Sequence, residues 1–270
     1  MQTQNVNYEF FKFPAGEVHV KDSRPSLDHG PIFVPIDGDN LSDWIMKILL
    51  LTNIKRRQGH RLELYIPYLP YSRQDRPTSP NEPFSLQVIG DIINAQGYQK
   101  VYTLDVHSDV AHGCIRNLVN IPVDFIVHEF PNNTNFRDCV LVIPDQGAYK
   151  RLQKMAPLFK GVAVALKHRD TETGKLRIDA LHGDVYGEHC LIVDDICDGG
   201  GTFVMLAELL EEKGAAKVDL FVTHGIFSKG VELERIDEIY TTNSFREVND
   251  HSWEHLTVID VMEVLKNYVE

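Results

Sequence analysis

The chain has 270 residues, 43% of them hydrophobic, with 27 Lys and Arg against 39 Asp and Glu and a formal net charge of −12. That length accommodates two α/β domains of ordinary size, and the acidic balance argues against a nucleic-acid binder, which would present a basic face to backbone phosphates. Four cysteines without Cys-x-x-Cys spacing support neither a disulfide framework nor a zinc site, and no apolar run approaches the roughly 18 residues of a membrane span, so a cytoplasmic protein with no membrane partner is expected.

The first five residues, Met-Gln-Thr-Gln-Asn, have neither the basic start nor the apolar stretch of an export signal. The apolar run 62–67 leads into Tyr71-Ser-Arg73-Gln74-Asp75-Arg76. Two guanidinium forks flanking a carboxylate suit polyphosphate oxygens, or else form a solvated charge cluster. A helix is expected over 84–97, with Phe84, Val88, Ile92 and Ile93 as its apolar stripe and Gly97 as its stop. The run 100–104 ends at Asp105-Val-His107. Between 121 and 138, Ile-Pro-Val-Asp and a polar stretch from Pro131 interrupt the alternation, so domains are expected at 1–122 and 123–270.

The run 139–143 ends at Asp145-Gln146-Gly147. His107 and Asp145 are candidate ligands of one divalent cation, although a lone histidine after a strand is commonly structural and Asp and Gly are ordinary turn residues. The run 161–166 precedes Lys167-His-Arg169-Asp and a polar stretch, 171–177, that is expected to move. Cations there can close over a reacting phosphate, and a plain exposed basic loop is the alternative. The run 189–193 meets Asp194 and Asp195, and then Asp198-Gly199-Gly200-Gly201-Thr202 opens a helix with the stripe Phe203, Leu206, Ala207 and Leu210. Glycines there leave backbone N–H groups uncovered, a cradle for phosphate, while the paired carboxylates suit ribose hydroxyls held directly or through Mg²⁺. The site therefore reads as one for a phosphorylated sugar, against an ordinary strand-to-helix turn. With a last run at 218–223, the pattern predicts an α/β fold of two doubly wound, mainly parallel-sheet lobes.

The ordered segments resemble one family, the ribose-phosphate pyrophosphokinases (phosphoribosyl pyrophosphate synthetases), whose lobes are each similar to type I phosphoribosyltransferases. The resemblance is carried by Lys12-Phe-Pro-Ala-Gly-Glu17, the Tyr71–Arg76 segment with the residues before it, Glu82-Pro83, Leu104-Asp-Val-His107, Ile121-Pro-Val-Asp124, Pro144-Asp-Gln-Gly147, Lys167-His-Arg169, Asp194–Thr202 and Thr223-His-Gly-Ile-Phe-Ser228, in family order. It implies that Arg73, Gln74, Asp75, Arg76 and His107 bind ATP, with Phe13 and Glu17 of a neighbouring subunit closing on the adenine. It also implies that His107 and Asp145 hold Mg²⁺, and that Asp145, Gln146, Gly147 and Ala148 form a pyrophosphate loop. Asp194 and Asp195 would take the ribose hydroxyls, Asp198 through Thr202 the 5-phosphate, and Lys167 and Arg169 would be the catalytic cations.

The implied reaction moves diphosphate from ATP to the anomeric hydroxyl of ribose 5-phosphate in a homo-oligomer. The family usually has a further strand and helix ahead of Lys12–Glu17, so the first lobe and its subunit contacts are expected to differ. Its phosphate loop normally reads Asp-Thr-x-Gly-Thr, and Gly199 here removes the threonine hydroxyl, which suggests a 5-extended ribose phosphate such as ADP-ribose as an alternative acceptor. A phosphoribosyltransferase would share the cradle but have no use for Arg73, Arg76 and the Lys167–Arg169 segment. A non-catalytic synthetase-like subunit would most readily show itself by losing the basic or metal residues, and both sets are present.

Overall fold

Asn40 starts the longest helix by accepting a hydrogen bond from the Ser42 amide at 2.9 Å, and Lys55, Arg56 and Arg57 complement the dipole at its other end. In this computed structural model, which describes residues 8–22, 30–36, 40–129, 136–169, 176–245 and 253–269, the helix follows three short strands. They are β1 (Tyr8–Lys12), β2 (Val18–Asp22) and β3 (Ile32–Phe33), and the helix is α1 (Leu41–Arg57). It buries Trp44, Ile48, Leu51 and Thr52, and the Trp44 indole donates to the Val34 carbonyl at 2.8 Å. β4 (Glu63–Tyr65), α2 (Ser85–Asn94), β5 (Lys100–Leu104), α3 (Ala111–Cys114) and β6 (Leu118–Ile121) follow.

Strands β3, β4, β5 and β6 form a parallel sheet laid down in chain order, and β1 and β2 pair as a separate antiparallel hairpin. The predicted strand at 100–104 matches β5, whereas that at 62–67 is confined to three residues. On α2 the apolar stripe is corrected: Val88 is 55% exposed, and Leu86, Ile89, Gly90 and Ile93 face inward. Gly90 explains the choice, because a Cβ there would press on the Cys114 carbonyl at 2.6 Å. That helix face therefore packs against α3 through a residue with no side chain.

The contacts divide the chain into two units, Met1–Ile121 and Pro122–Glu270. The second contains α4 (Val123–His128), β7 (Val140–Ile143), α5 (Gln146–Leu152), β8 (Gly161–Arg169), β9 (Leu176–His182), β10 (His189–Cys197), α6 (Gly201–Glu212), β11 (Lys217–Gly225), β12 (Glu238–Thr242), β13 (Leu256–Ile259) and α7 (Val261–Val269). Its sheet runs β13-β12-β11-β10-β7-β8-β9, parallel except for β9. Phe203, Leu206, Ala207 and Leu210 of α6 are buried against it, as their spacing predicts. Two expectations change here. β8 continues through Lys167 and Arg169 into a hairpin with β9, and β10 continues past Val193 because Asp194 and Ile196 still pair with Val222 and His224 of β11. Residues 1–5, 131–135 and 171–175, on which the export, boundary and mobility readings partly rest, lie outside the described residues.

At the amino edge of this sheet Asp219 is buried, with His189 Nε2 at 2.7 Å and Lys217 Nζ at 3.2 Å as its cations. His189 Nδ1 lies 3.4 Å from Cys139 Sγ. The hydrogen bond to Asp219, then that to Cys139, raise the His189 pKa to about 9 against the opposing effect of burial. A raised histidine pKa stabilises the fold fully below the unfolded value of 6.5, and that contribution fades as pH rises through about 9. The urea midpoint is therefore expected to fall between pH 7 and pH 10 more steeply in the wild type than in His189→Gln. Parallel profiles for the two proteins would remove His189 as the titrating group.

Candidate active site

The second sheet changes winding direction between β7 and β10: β8 lies on one side of this pair and β11 on the other. In an open α/β sheet the crevice beyond the carboxyl ends of the strands at such a reversal receives ligands. Asp145 follows β7 and caps α5, its Oδ1 accepting from the Ala148 amide at 2.9 Å. Gln146, Gly147 and Ala148 accordingly form the first turn of a helix. Asp194 and Asp195 lie within β10, and their neighbour is a residue the sequence reading missed. Arg151 of α5 places Nη2 at 2.7 Å from Asp194 Oδ1 and 3.7 Å from Asp195 Oδ1. Burial, then the Asp195 charge, push the Asp194 carboxyl well above the usual carboxylate range, Arg151 opposes this, and Asp145 adds a further upward push. Asp194 thus feels the charge of two other carboxylates while it is bound to one guanidinium.

Beyond β10 the chain turns through Asp198, Gly199 and Gly200 into α6. Gly200 has φ 74°, a left-handed conformation, and no side chain caps the first amides of the helix. The turn is pinned from the loop after β11: Cys197 O accepts from Ile226 and Phe227 amides at 2.8 and 3.1 Å, and Asp198 O accepts from the Ser228 amide at 3.1 Å. The structure therefore brings Asp145, Asp194 and Asp195 to one edge, with Asp198 through Thr202 continuing from it. Lys167 and Arg169 occupy the last residues of β8, paired with Ile178 and Leu176 of β9.

The other candidates belong to the first unit. Arg73, Gln74 and Arg76 are exposed after β4, and Gln74 ties the segment to α2 through its carbonyl, which accepts from the Leu86 amide at 3.3 Å. Asp75 and Arg76 stand as a loose ion pair, with Nε and Oδ1 4.0 Å apart, too far for a hydrogen bond. His107 is exposed just after β5, and two residues earlier buried Asp105 has φ 36°. A left-handed buried aspartate is a strained feature of the kind that gathers at functional sites, and no sequence pattern announced it. Phe13 and Glu17 bracket the β1–β2 turn, where the Phe13 amide donates to Glu17 O at 2.9 Å. Phe13 is 49% exposed and its ring packs 5.4 Å from Phe11 and 5.7 Å from His19.

A divalent cation fits the chemistry of the carboxylate set, because hard oxygen donors and the excess negative charge that raises Asp194 both favour one. His107 and Asp145, the expected ligand pair, belong to different units. Among the described residues no three His, Cys, Asp or Glu side chains converge as a metal-holding group, so such an ion would take much of its shell from phosphate and water. No helix among the described residues is long and apolar enough to cross a membrane.

Residues 1–97 match the family described as the N-terminal domain of ribose phosphate pyrophosphokinase, and residues 175–270 match the phosphoribosyl synthetase-associated domain. The ribose-phosphate pyrophosphokinase of Mycoplasmopsis pulmonis is 30% identical over 256 residues, covering 90% of this chain and 78% of that protein. The enzyme of the same name from Brucella melitensis is 31% identical over 216 residues, 76% of this chain and 68% of the relative. Among solved structures, the phosphoribosylpyrophosphate synthetase of Mycobacterium smegmatis superposes with a TM-score of 0.75 over 97% of this chain and 88% of that one, at 24% identity, a likeness of fold.

Proposed function

The chain belongs to the ribose-phosphate pyrophosphokinase family, and from that premise we propose that it transfers the β,γ-diphosphate of ATP to the anomeric hydroxyl of ribose 5-phosphate, releasing AMP. The observation that carries this reading is the crevice between β7 and β10, where a carboxylate pair on a strand runs directly into an uncapped, glycine-lined helix start. Asp194 and Asp195 accept hydrogen bonds from the ribose hydroxyls, and the amides of Asp198 through Thr202 surround the 5-phosphate. The Asp145–Ala148 turn receives the diphosphate as it arrives. Arg73, Gln74, Asp75, Arg76 and His107 hold the nucleotide on the first unit, with Phe13 and Glu17 from a second copy closing on the adenine in a homo-oligomer.

The anomeric oxygen forms a bond to the β-phosphorus while the bond from that phosphorus to the α-phosphate bridging oxygen breaks. The bridging oxygen leaves on AMP, and the hydroxyl proton passes from the new ester oxygen to solvent water. Phosphoryl transfer of this kind depends on alignment and charge neutralisation, so Lys167 and Arg169 suffice without a covalent nucleophile. Mg²⁺, for which Asp145 on the second unit and His107 on the first are each candidate ligands, would supply neutralisation of the phosphate charge when bound.

Gly199 favours a second reading in which the acceptor is a ribose whose 5-phosphate bears a further group, as in ADP-ribose, since the loop presents no side chain at that point. With ATP and Mg²⁺ present, AMP release is expected to require ribose 5-phosphate. Release that requires ADP-ribose instead selects the second reading, and equal release with no acceptor at all contradicts both.

A further inference from the structure

Lys229 leans on the glycine turn. A Cβ built on Gly199 would lie 3.3 Å from both Cδ and Cε of Lys229 and 3.7 Å from its Cγ, so the aliphatic stem occupies the space that a side chain at 199 would claim. The backbone that holds it is fixed on both sides: the preceding Ser228 amide donates to Asp198 O at 3.1 Å, and the following Gly230, at φ 99°, donates to Phe227 O at 2.9 Å. Phe227 is itself buried against Gly225, where any Cβ would strike its ring. Lys229 is exposed, and its ammonium has no hydrogen-bond or ion-pair partner among the described residues. A cation is thus carried by a rigid turn, stem against Gly199, one residue from the helix start that no side chain caps.

An exposed lysine ordinarily spreads into solvent. Here the missing side chain at 199 and the stem that fills its place are two halves of one arrangement, because a threonine at 199 would force the stem away. We infer that Lys229 binds the 5-phosphate of the acceptor, its ammonium taking the part that a hydroxyl at position 199 would otherwise play. This rests on the reading of Asp198–Thr202 as the acceptor's phosphate site. A lysine head on a flexible stem is a point charge with three rotatable donors, so it follows a phosphate displaced from the loop, or a second phosphate beside the first, where a fixed hydroxyl serves one position.

The test compares the wild type with Lys229→Met, which keeps the stem and removes the charge, and with Lys229→Ala alone and in combination with Gly199→Thr. Lys229→Met is expected to raise the acceptor KM about tenfold or more, the usual weight of a lost hydrogen bond to a charged group, with the ATP KM changed less than about twofold. Lys229→Arg should recover much of the loss. Combining Gly199→Thr with Lys229→Ala should give a lower ribose 5-phosphate KM than Lys229→Ala alone, since the new hydroxyl replaces the missing donor and no stem remains for it to meet. Calorimetry with ribose 5-phosphate and no nucleotide reads the same contact without turnover. If the wild type shows no acceptor-dependent AMP release yet binds ribose 5-phosphate more tightly than Lys229→Met does, the reaction assigned above fails and the role of Lys229 stands. Equal acceptor affinity in the wild type and Lys229→Met, or no binding by the wild type, overturns it.

Discussion

Replacing Lys167 by alanine is expected to lower kcat by about 10²–10³-fold while leaving nucleotide binding largely in place, because one preorganised charge contact made chiefly in the transition state has that worth. Lys167 and Arg169 stand two residues apart at the end of β8, and the ladder with β9 shifts register between Leu166 and Lys167. Pairing with Ile178 and Leu176 of β9 fixes the backbone on which both residues sit. Two cations presented from a paired strand are better positioned than two on an open loop. Their effect should accordingly appear in kcat, with the ATP dissociation constant changing little. Arg169→Ala should behave in the same way, and the double variant should lose less than the product of the two single losses, since both act on one developing charge. Wild-type turnover in Lys167→Ala would take this strand end out of the mechanism.

Gly200→Ala is expected to destabilise the protein by about 2–5 kcal/mol, combining roughly 1–2 for a left-handed alanine with 1–3 for displacing a packed side chain. At φ 74° the residue needs a conformation that L side chains seldom adopt, and its Cβ would run into Cδ2 of buried Leu233. The neighbouring glycines provide the contrast. Gly201 has no atom within 4 Å of a built Cβ, and at Gly199 only the flexible Lys229 stem is close. Urea denaturation should therefore rank Gly200→Ala far below both Gly199→Ala and Gly201→Ala. Three similar midpoints would mean that the turn adapts, and that Leu233 does not lock it.

The features most legible in the sequence were those with a strong local signal. The stripe of α6 and the strand β5 follow from apolar spacing over a few residues, and both are where that spacing puts them. Val88 departs from the expected α2 stripe because large apolar residues mark such a stripe in sequence, whereas the packed face runs through Gly90, whose value lies in having no side chain. β8 and β10 run beyond their apolar stretches for a related reason. Lys167, Arg169, Asp194 and Asp195 look like loop residues, yet ladder hydrogen bonds to β9 and β11 keep them in strands regardless of polarity. Arg151 could not be read at all, since it meets Asp194 across 43 residues of chain and only the reversal between β7 and β10 brings α5 beside that carboxylate. Lys229 is a similar case, a surface lysine in sequence and a lining of the glycine turn in space.

β10 carries a separate electrostatic centre toward each end: His189, with its buried aspartate, at the start and the Arg151-bound carboxylates five residues later. Five residues of strand span about 16 Å, a separation at which two unit charges interact by only about 1 kcal/mol at an effective dielectric of about 20. Discharging the histidine in alkali should thus loosen the scaffold before it alters the chemistry. The enzyme's alkaline limit would then be a limit of endurance, measured as a shortening lifetime at undiminished initial velocity, and raising it becomes a matter of redesigning the far edge of the sheet with the reaction crevice left alone.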